Sequence, residues 1–414
     1  MAERPASALT DGLDLTPEFW LAAACCRSPA AARREAVRRA AARTIDWRRF
    51  LRVVKRQRIA GLVHAALLDA GVDVPISIAR ELVPQAQQIA RQNLTLVAEA
   101  ARLQNRFEIA GIPSLAVKGA ALAQLAYGNI ATKHGRDIDL LVLPRDAIAA
   151  MTLLEREGYA LWRPVTQLTP RQRAAVIRYS YEAEFRGVRD DIQVELHWRL
   201  TQNPQLLRGV DAQSPSQEVE LPGGLRLRTL ADAELFAYLA AHGGAHAWSR
   251  LKWLADVNAL LVRKSGEDLE RLYRRAQACG AGLCAELALL LCHALFDLSL
   301  PQGINAKLGS DARIARLARG CLHLMSGGDD ARELRDRPFG NARVLLMQFR
   351  LSREWRYFIA QCRFWSIGVP DVVLLPLPAG GALLYPLLRL PLFVLRRMRA
   401  FGAPRRGRKA DARA

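Results

Sequence analysis

The sequence predicts an α+β protein: a small mixed sheet with its helices, inserted between N- and C-terminal helical regions. Three observations carry this reading. Residues before 110 place apolar side chains at helical spacing, residues 114–230 switch to short alternating segments punctuated by Gly and Pro, and helical composition returns from Leu230 to Ser326.

Taken in order, Trp47, Phe50, Leu51 and Val54 fall at i, i+3, i+4 and i+7 with Arg48, Arg49, Arg52 and Arg56 between them, the pattern of an amphipathic helix. Residues 80–110 continue in helical composition, with Pro84 the one interruption, until "AGIPS" breaks the run. "SLAV", from Ser114, reads as a short strand. Lys118-Gly119 then turns the chain into "AALAQLAY", a helix apolar enough to be almost wholly buried, which Gly128-Asn129 stops. "DIDLLVL" is the next strand, ended by Pro144, and Asp146 is expected to cap a helix running to about Glu157. "SYEAEF" and "DIQVELHW" alternate and are joined by "RGVRD", a hairpin signal in which Asp190 and Asp191 are ordinary turn residues. "EVELPGGLRLRTL" reads as a second hairpin, and "AELFAYLAAHGGAHAWSRLKWLADVNALL" opens the returning helices. The expected organisation is a helical region over 1–112, an α/β core over 113–229, a helical domain over 230–330, and a helical and apolar segment over 331–414. The last of these ends in "RRGRKADARA", whose composition is that of a disordered tail.

Half of the 414 residues are hydrophobic, which excludes a disordered protein and allows a sizeable core. The net charge of +20 suggests nucleic acid until it is located. Residues 27–58 carry twelve Lys or Arg against two acids, and residues 389–414 carry nine against one, so 18 of the 20 excess charges sit in these two stretches. A basic groove through the middle of the chain is therefore not expected. Solvated helix faces are the plain explanation, and contact with RNA or an anionic membrane surface through 27–58 and 389–414 is the functional one. The seven cysteines show no CxxC spacing, which fits a reduced, cytoplasmic compartment. "FWLAAACC" is short for a secretory signal and follows an acidic leader. Val372–Leu395 is long enough to span a membrane, but Pro376, Pro378, Pro386, Pro391, Gly380-Gly381 and Arg389 each penalise a spanning helix. Packing back onto the protein is expected first, and association with a membrane surface second.

The chemistry concentrates at "RDIDLLV". Residues two apart on a strand share a face, so Asp137 and Asp139 project together while Ile138 and Leu140 take the other side. A solvated edge strand would explain a bare DxD, but this pair opens a run of Leu140 to Leu143 that reads as a central strand. Central strands do not carry two unpaired anions. Divalent cations are the economical compensation, and a third ligand should come from a neighbouring strand. "QVELHW" supplies it: Val194, Leu196 and Trp198 form one face, leaving Gln193, Glu195 and His197 on the other, with Glu195 the single acid. The turn at "VKGAA" offers the free N–H groups of a helix N-terminus at Gly119, Ala120 and Ala121, with Lys118 as a point charge, a cradle suited to phosphate.

Other candidates are weaker. His242 and His246 stand at i and i+4, a spacing that binds zinc, but no third ligand accompanies them, so packing or nucleotide contact is favoured. His197 is placed to orient a metal ligand or an acceptor, or to make a structural hydrogen bond. Trp198, Trp248 and Trp253 are expected in the core.

The run "LAVKGAALAQLAYGNIATKHGRDIDLLVLPRDAIAAMTLLEREGYAL", followed by "VELHWRL" and "LAAHGGAHAWSRLKWLADVNALL", resembles the bacterial uncharacterised nucleotidyltransferases of the DNA polymerase beta-like superfamily. The Lys-Gly turn before an Asp-x-Asp strand is also similar to nucleotidyltransferase toxins of abortive-infection systems. The resemblance covers about residues 40–265. It implies Mg²⁺, in two ions, with Mn²⁺ as the alternative, held by Asp137, Asp139 and Glu195. It further implies transfer of a nucleotidyl group from a nucleoside triphosphate to an acceptor hydroxyl or amine, with Glu195 helping to deprotonate the attacking group. Lys252, in "RLKWLADV", resembles a position from which related helical domains approach a nucleotide phosphate. Two departures stand out. The superfamily's Gly-Ser turn is Gly119-Ala120 here, with Lys118 as the substitute, and the Arg commonly found upstream of the aspartates is Lys133, a single phosphate contact in place of a bidentate one. Two rival readings are a catalytically inactive nucleotide-binding or scaffold protein of the same fold, and a basic adaptor for RNA or anionic membrane, placed in the cytoplasm or peripheral to a membrane.

Overall fold

The computed structural model of the chain describes residues 9–402 apart from 11, 14, 165, 328–332 and 335–338, so residues 403–414 of the basic tail lie outside the described residues. The N-terminal helices are α1 (Pro17–Cys25), α2 (Ala30–Ala41), α3 (Trp47–Gln57), α4 (Ala60–Ala70) and α5 (Ile76–Ile109). Asp46 starts α3 by accepting hydrogen bonds from the backbone N–H groups of Arg48 and Arg49, both at 3.0 Å, satisfying two of the donors a helix start leaves open. Phe50, Val53 and Val54 of α3 are buried, while Arg48, Arg52 and Lys55 stay exposed. α5 runs 34 residues and passes through Pro84 without ending.

The α/β segment comprises β1 (Ser114–Ala116), α6 (Gly119–Tyr127), β2 (Asp137–Val142), α7 (Ala147–Arg156), β3 (Tyr159–Arg163), α8 (Pro170–Tyr179), β4 (Glu182–Gly187) and β5 (Gln193–His197). Its five strands form one mixed sheet in the order β1-β2-β5-β4-β3, with β2 and β5 parallel and every other pairing antiparallel. β6 (Ser216–Leu221) and β7 (Leu225–Leu230) form a separate hairpin, whose turn places Gly223 and Gly224 at φ +79° and +74°, a backbone that glycine adopts without strain. Gln104 of α5 ties this hairpin to the sheet, donating to the carbonyls of Ser114 and Arg228 and accepting from the Arg228 N–H.

Helices return as α9 (Asp232–Ala245), α10 (Leu251–Leu261), α11 (Gly266–Ala278), α12 (Gly282–Phe296), α13 (Gln302–Ser310), α14 (Ala312–Ser326), α15 (Gly340–Gln348), α16 (Trp355–Ser366), α17 (Val369–Leu374) and α18 (Tyr385–Gly402). Strand periodicity sorts β2 between two cores. Ile138, Leu140 and Val142 join Val194 and Leu196 in a core with α5 and α7, whereas Leu141 and Leu143 face a second core shared by the N-terminal helices and α9 to α12. No described helix is long and apolar enough to cross a membrane.

Three local expectations are corrected. β3 and α8 were not anticipated, although "TPRQ" carries a helix-start signal: Thr169 and Gln172 form a reciprocal capping box with Pro170 in the first turn. Asp146 occupies the N-cap position of α7, but its side chain makes no capping hydrogen bond, because its backbone is already helical at φ −93°, ψ −6°. "AELFAYLAAHGGAHAWSRLKWLADVNALL" is two helices, broken where Ala247 and Trp248 take φ +51° and +47°. Gly243 makes this break compact, since a Cβ there would lie 2.4 Å from the buried Trp248 ring.

Candidate functional site

Parallel pairing of β2 with β5 puts Asp137 beside Gln193, Asp139 beside Glu195 and Leu141 beside His197. Neighbours in register share a face, so the alternation of each strand delivers Asp139, Glu195 and His197 to one point. A carboxylate oxygen from each acid and a ring nitrogen of His197 all lie within 4.8 Å of one another, and among the described residues this is the one such group able to hold a metal ion. His197 Nε2 is 3.3 Å from Asp139 Oδ1 and 3.7 Å from Glu195 Oε2, and its Nδ1 is 3.1 Å from Glu182 Oε2. The Nδ1 contact is an ion-pair approach without hydrogen-bond geometry. Asp137 opens the same strand and lines the same cleft but stands outside this cluster.

The turn after β1 adds a cation. Val117 N–H bonds the Asp139 carbonyl, and Gly119 then takes φ +60°, a conformation that costs a Cβ-bearing residue roughly 1–2 kcal/mol. Between them Lys118 places Nζ 2.7 Å from Asp139 Oδ1. Burial opposes ionisation of Asp139, which is 4% exposed, yet Lys118 and then His197 outweigh it and hold the carboxyl well below the ordinary carboxylate range. Burial likewise opposes the charge on His197, but its contacts with Asp139 and Glu195 raise its pKa to about 10. Burial raises the pKa of Glu195, and the nearby aspartates add to that rise while His197 opposes it. The expectation that only divalent cations can offset the clustered carboxylates is thereby corrected: Lys118 and His197 bring two positive charges of their own.

The donor set still fits a divalent cation. Two converging carboxylates suit Mg²⁺ or Mn²⁺, an imidazole nitrogen favours the softer of the two, and a carboxylate behind the other ring nitrogen is the usual support for a ligating histidine. A cation there must displace the proton on His197, so its affinity rises with pH.

The cluster lines a cleft of about 730 Å³, a volume suited to a small-molecule ligand. Arg58, Lys133, Arg136 and Lys252 line the same cleft and bring basic groups to it. Lys133 Nζ lies 3.6 Å from Asp256 Oδ2, and Tyr127 donates to Asp256 Oδ1 at 2.9 Å. Lys252 stands over the Trp253 ring at 5.5 Å; burial, with Lys133 and Arg58 nearby, depresses its pKa to about 7. Arg58 reaches the cleft from the left-handed C-cap of α3 at φ +55°, so an N-terminal helix completes the site. Asn93 of α5 orders the loop that carries Lys133, donating to the carbonyls of Ile130 and Lys133 at 2.6 Å and accepting from Gly135 N–H at 3.2 Å.

His242 and His246 also line this cleft but pack as rings: they are 4.7 Å apart, and His246 stacks on Trp253 at 4.7 Å and 17°. Burial lowers the pKa of both, that of His246 to about 4. Trp198 and Trp248 are core residues, whereas Trp253 is half-buried in the cleft wall, contrary to expectation. Arg58, Asn93, Glu182 and Asp256 are site residues that sequence patterning missed. Each sits in an element whose periodicity explains it as an ordinary helix or strand residue, so only tertiary structure brings it to the cleft.

A family model described as an uncharacterised nucleotidyltransferase matches residues 43–297, more than half of the chain. No curated protein matches the chain.

Proposed function

The chain belongs to the uncharacterised nucleotidyltransferase family, and from that premise we propose that it is a metal-dependent enzyme transferring a nucleotidyl group from a nucleoside triphosphate to a hydroxyl or amine acceptor. Its core would be the polymerase beta-like segment over 113–229, flanked by the helical regions 1–112 and 230–330 and the segment 331–414. The observation that carries the reading is the convergence of Asp139, Glu195 and His197 in a cleft that Arg58, Lys133 and Lys252 also line.

Asp139, Glu195 and His197 would hold Mg²⁺ or Mn²⁺, and Asp137, in the same cleft, would serve a second ion. A divalent cation bound there neutralises phosphate charge and acidifies the attacking hydroxyl or amine. The chain's own residues do the rest. Gly119 and Ala120 at the start of α6 receive a phosphate, as Lys118 does once released from Asp139. Lys133 and Lys252 pair with the outer phosphates. Glu195 takes the proton of the acceptor as its oxygen or nitrogen bonds to the α-phosphorus, the bond to the β-phosphate oxygen breaks, and pyrophosphate leaves. Each labelled nucleoside triphosphate, incubated with the protein, Mg²⁺ or Mn²⁺ and a cell lysate, tests this directly: label should move to an acceptor with release of pyrophosphate. Absence of transfer for every nucleotide and both metals would count against it.

A pH signature distinguishes binding beside Lys252. Triphosphate beside Lys252 should raise its pKa from about 7, so binding takes up a proton once the pH exceeds that value. Nucleotide affinity is expected to fall by up to about tenfold per pH unit between about pH 7 and 9, and Lys252→Arg, charged throughout, should flatten this part of the profile. Calorimetric titration in buffers of different ionisation enthalpy measures the proton uptake.

One observation favours a second reading. Lys118 already satisfies Asp139 at 2.7 Å, which suits a scaffold that keeps the fold and binds nucleotide without transferring it. Binding without pyrophosphate release across the lysate panel would select that reading.

A further inference from the structure

Away from the cleft, the C-terminal helices expose apolar side chains in a regular stripe. Leu387, Leu390 and Val394 of α18 follow one another at i, i+3 and i+7 and are 76%, 72% and 47% exposed, and Leu383, in the 3-10 turn just before the helix, is 84% exposed. The reverse face of α18 is covered: Tyr385, Leu388 and Leu392 pack against Tyr179 of α8 and Val372 of α17. α16 has the same two-sided character. Its Tyr357 and Gln361 line the cleft, while Trp355, Phe358 and Ile359 point outward and are more than half exposed. The sequence from the start of this region to the C-terminus is basic. Residues 353–414 carry twelve Lys or Arg against three acids, with Arg396, Arg397 and Arg399 continuing α18 beyond the stripe.

We infer that the outward faces of α16 and α18 dock on a membrane surface bearing anionic lipid headgroups. A second copy of the chain would bring the same excess of cations to the contact and repel it, whereas anionic headgroups attract the arginines while the leucine stripe enters the acyl boundary. Trp355 is of the residue type that settles at the headgroup level. Pro391 and Arg389 within α18 suit a helix lying in the interface rather than crossing it. The other face of α16 lines the cleft, so docking would hold that cleft about 10 Å, one helix diameter, behind the lipid surface. This inference does not depend on the chemistry proposed for the cleft.

The full chain is tested by co-sedimentation with vesicles of phosphatidylcholine alone and of phosphatidylcholine mixed with phosphatidylglycerol. Binding is expected to the mixed vesicles only and to weaken with added salt. A combined Leu387→Ser, Leu390→Ser and Val394→Ser variant should lose roughly tenfold or more in vesicle affinity. These side chains are exposed, so its thermal midpoint should match the wild type, which guards against misfolding. Failure of the wild type to bind, equal binding by the variant, or a concentration-dependent dimer that the variant abolishes would each overturn the inference; the last would assign the face to a contact between copies.

Discussion

Asp139→Asn is expected to lower nucleotidyl transfer by about 10³-fold, equivalent to about 4 kcal/mol in the barrier. The substitution keeps the size of the side chain and removes the one carboxylate that touches both cationic partners, Lys118 at 2.7 Å and His197 at 3.3 Å. Two consequences separate from one another. Transfer falls because the ligand at the centre of the cluster is gone. Stability also falls, by about 3 kcal/mol, because the buried charge on Lys118 loses its counter-charge, while His197 keeps Glu182 and Glu195 beside it. The charged Asp139 contributes stability at any pH above the ordinary carboxylate range and loses it only in strong acid, since its folded-state pKa is depressed. The thermal midpoint read beside the transfer rate at a temperature well below unfolding distinguishes the two effects. Asp137→Asn, at a residue outside the cluster, should cost less in both.

Lys118→Met should give the second largest effect, and one with an unusual signature. Without the ammonium, Asp139 is a buried carboxylate with His197 as its remaining partner, and the metal-free protein is expected to lose about 3 kcal/mol of stability. A divalent cation can take the vacated position. Mn²⁺ at about a hundredfold over its dissociation constant should then return about 2.7 kcal/mol, so that the thermal midpoint of the variant rises with Mn²⁺ far more steeply than that of the wild type. Nucleotide binding should weaken in the same variant, because Lys118 is also the phosphate contact we propose for the turn. A variant that is destabilised but indifferent to Mn²⁺ would mean that Lys118 is a permanent structural counter-ion and would support the scaffold reading.

Much of this site is written in local sequence. The alternation of "DIDLLV" and "QVELH" fixes which side chains share a face, and the buried run that follows Asp139 marks β2 as an interior strand. From these two facts the meeting of Asp139 with Glu195 follows once the strands are neighbours, as their register shows. The turn at Lys118-Gly119 is equally local, because Gly119 supplies a left-handed backbone. What local pattern does not carry is which cation balances the acids. His197 alternates with Glu195 and reads equally well as a structural residue, and only the pairing of β2 with β5 brings its ring to Asp139. The basic residues of the cleft are less legible still. Arg58 lies among many arginines of similar spacing, and its selection depends on the left-handed end of α3 and on the approach of α4, where Gly61 has no room for a Cβ against the Thr132 carbonyl. β3 is not legible because its five residues at a sheet edge, three of them exposed, carry a weak apolar signal. Its neighbour α8 was missed because its one fully buried residue is Val176, so no apolar stripe announces it.

Pulsed electron paramagnetic resonance of Mn²⁺ titrated into the wild type and into Glu195→Gln tests most directly whether Asp139, Glu195 and His197 form one metal site. The expected result is bound Mn²⁺ showing coupling to an imidazole nitrogen in the wild type, with both the binding and the nitrogen signal strongly reduced in the variant. Mn²⁺ that binds equally to both proteins, or binds with no nitrogen coupling, would contradict it.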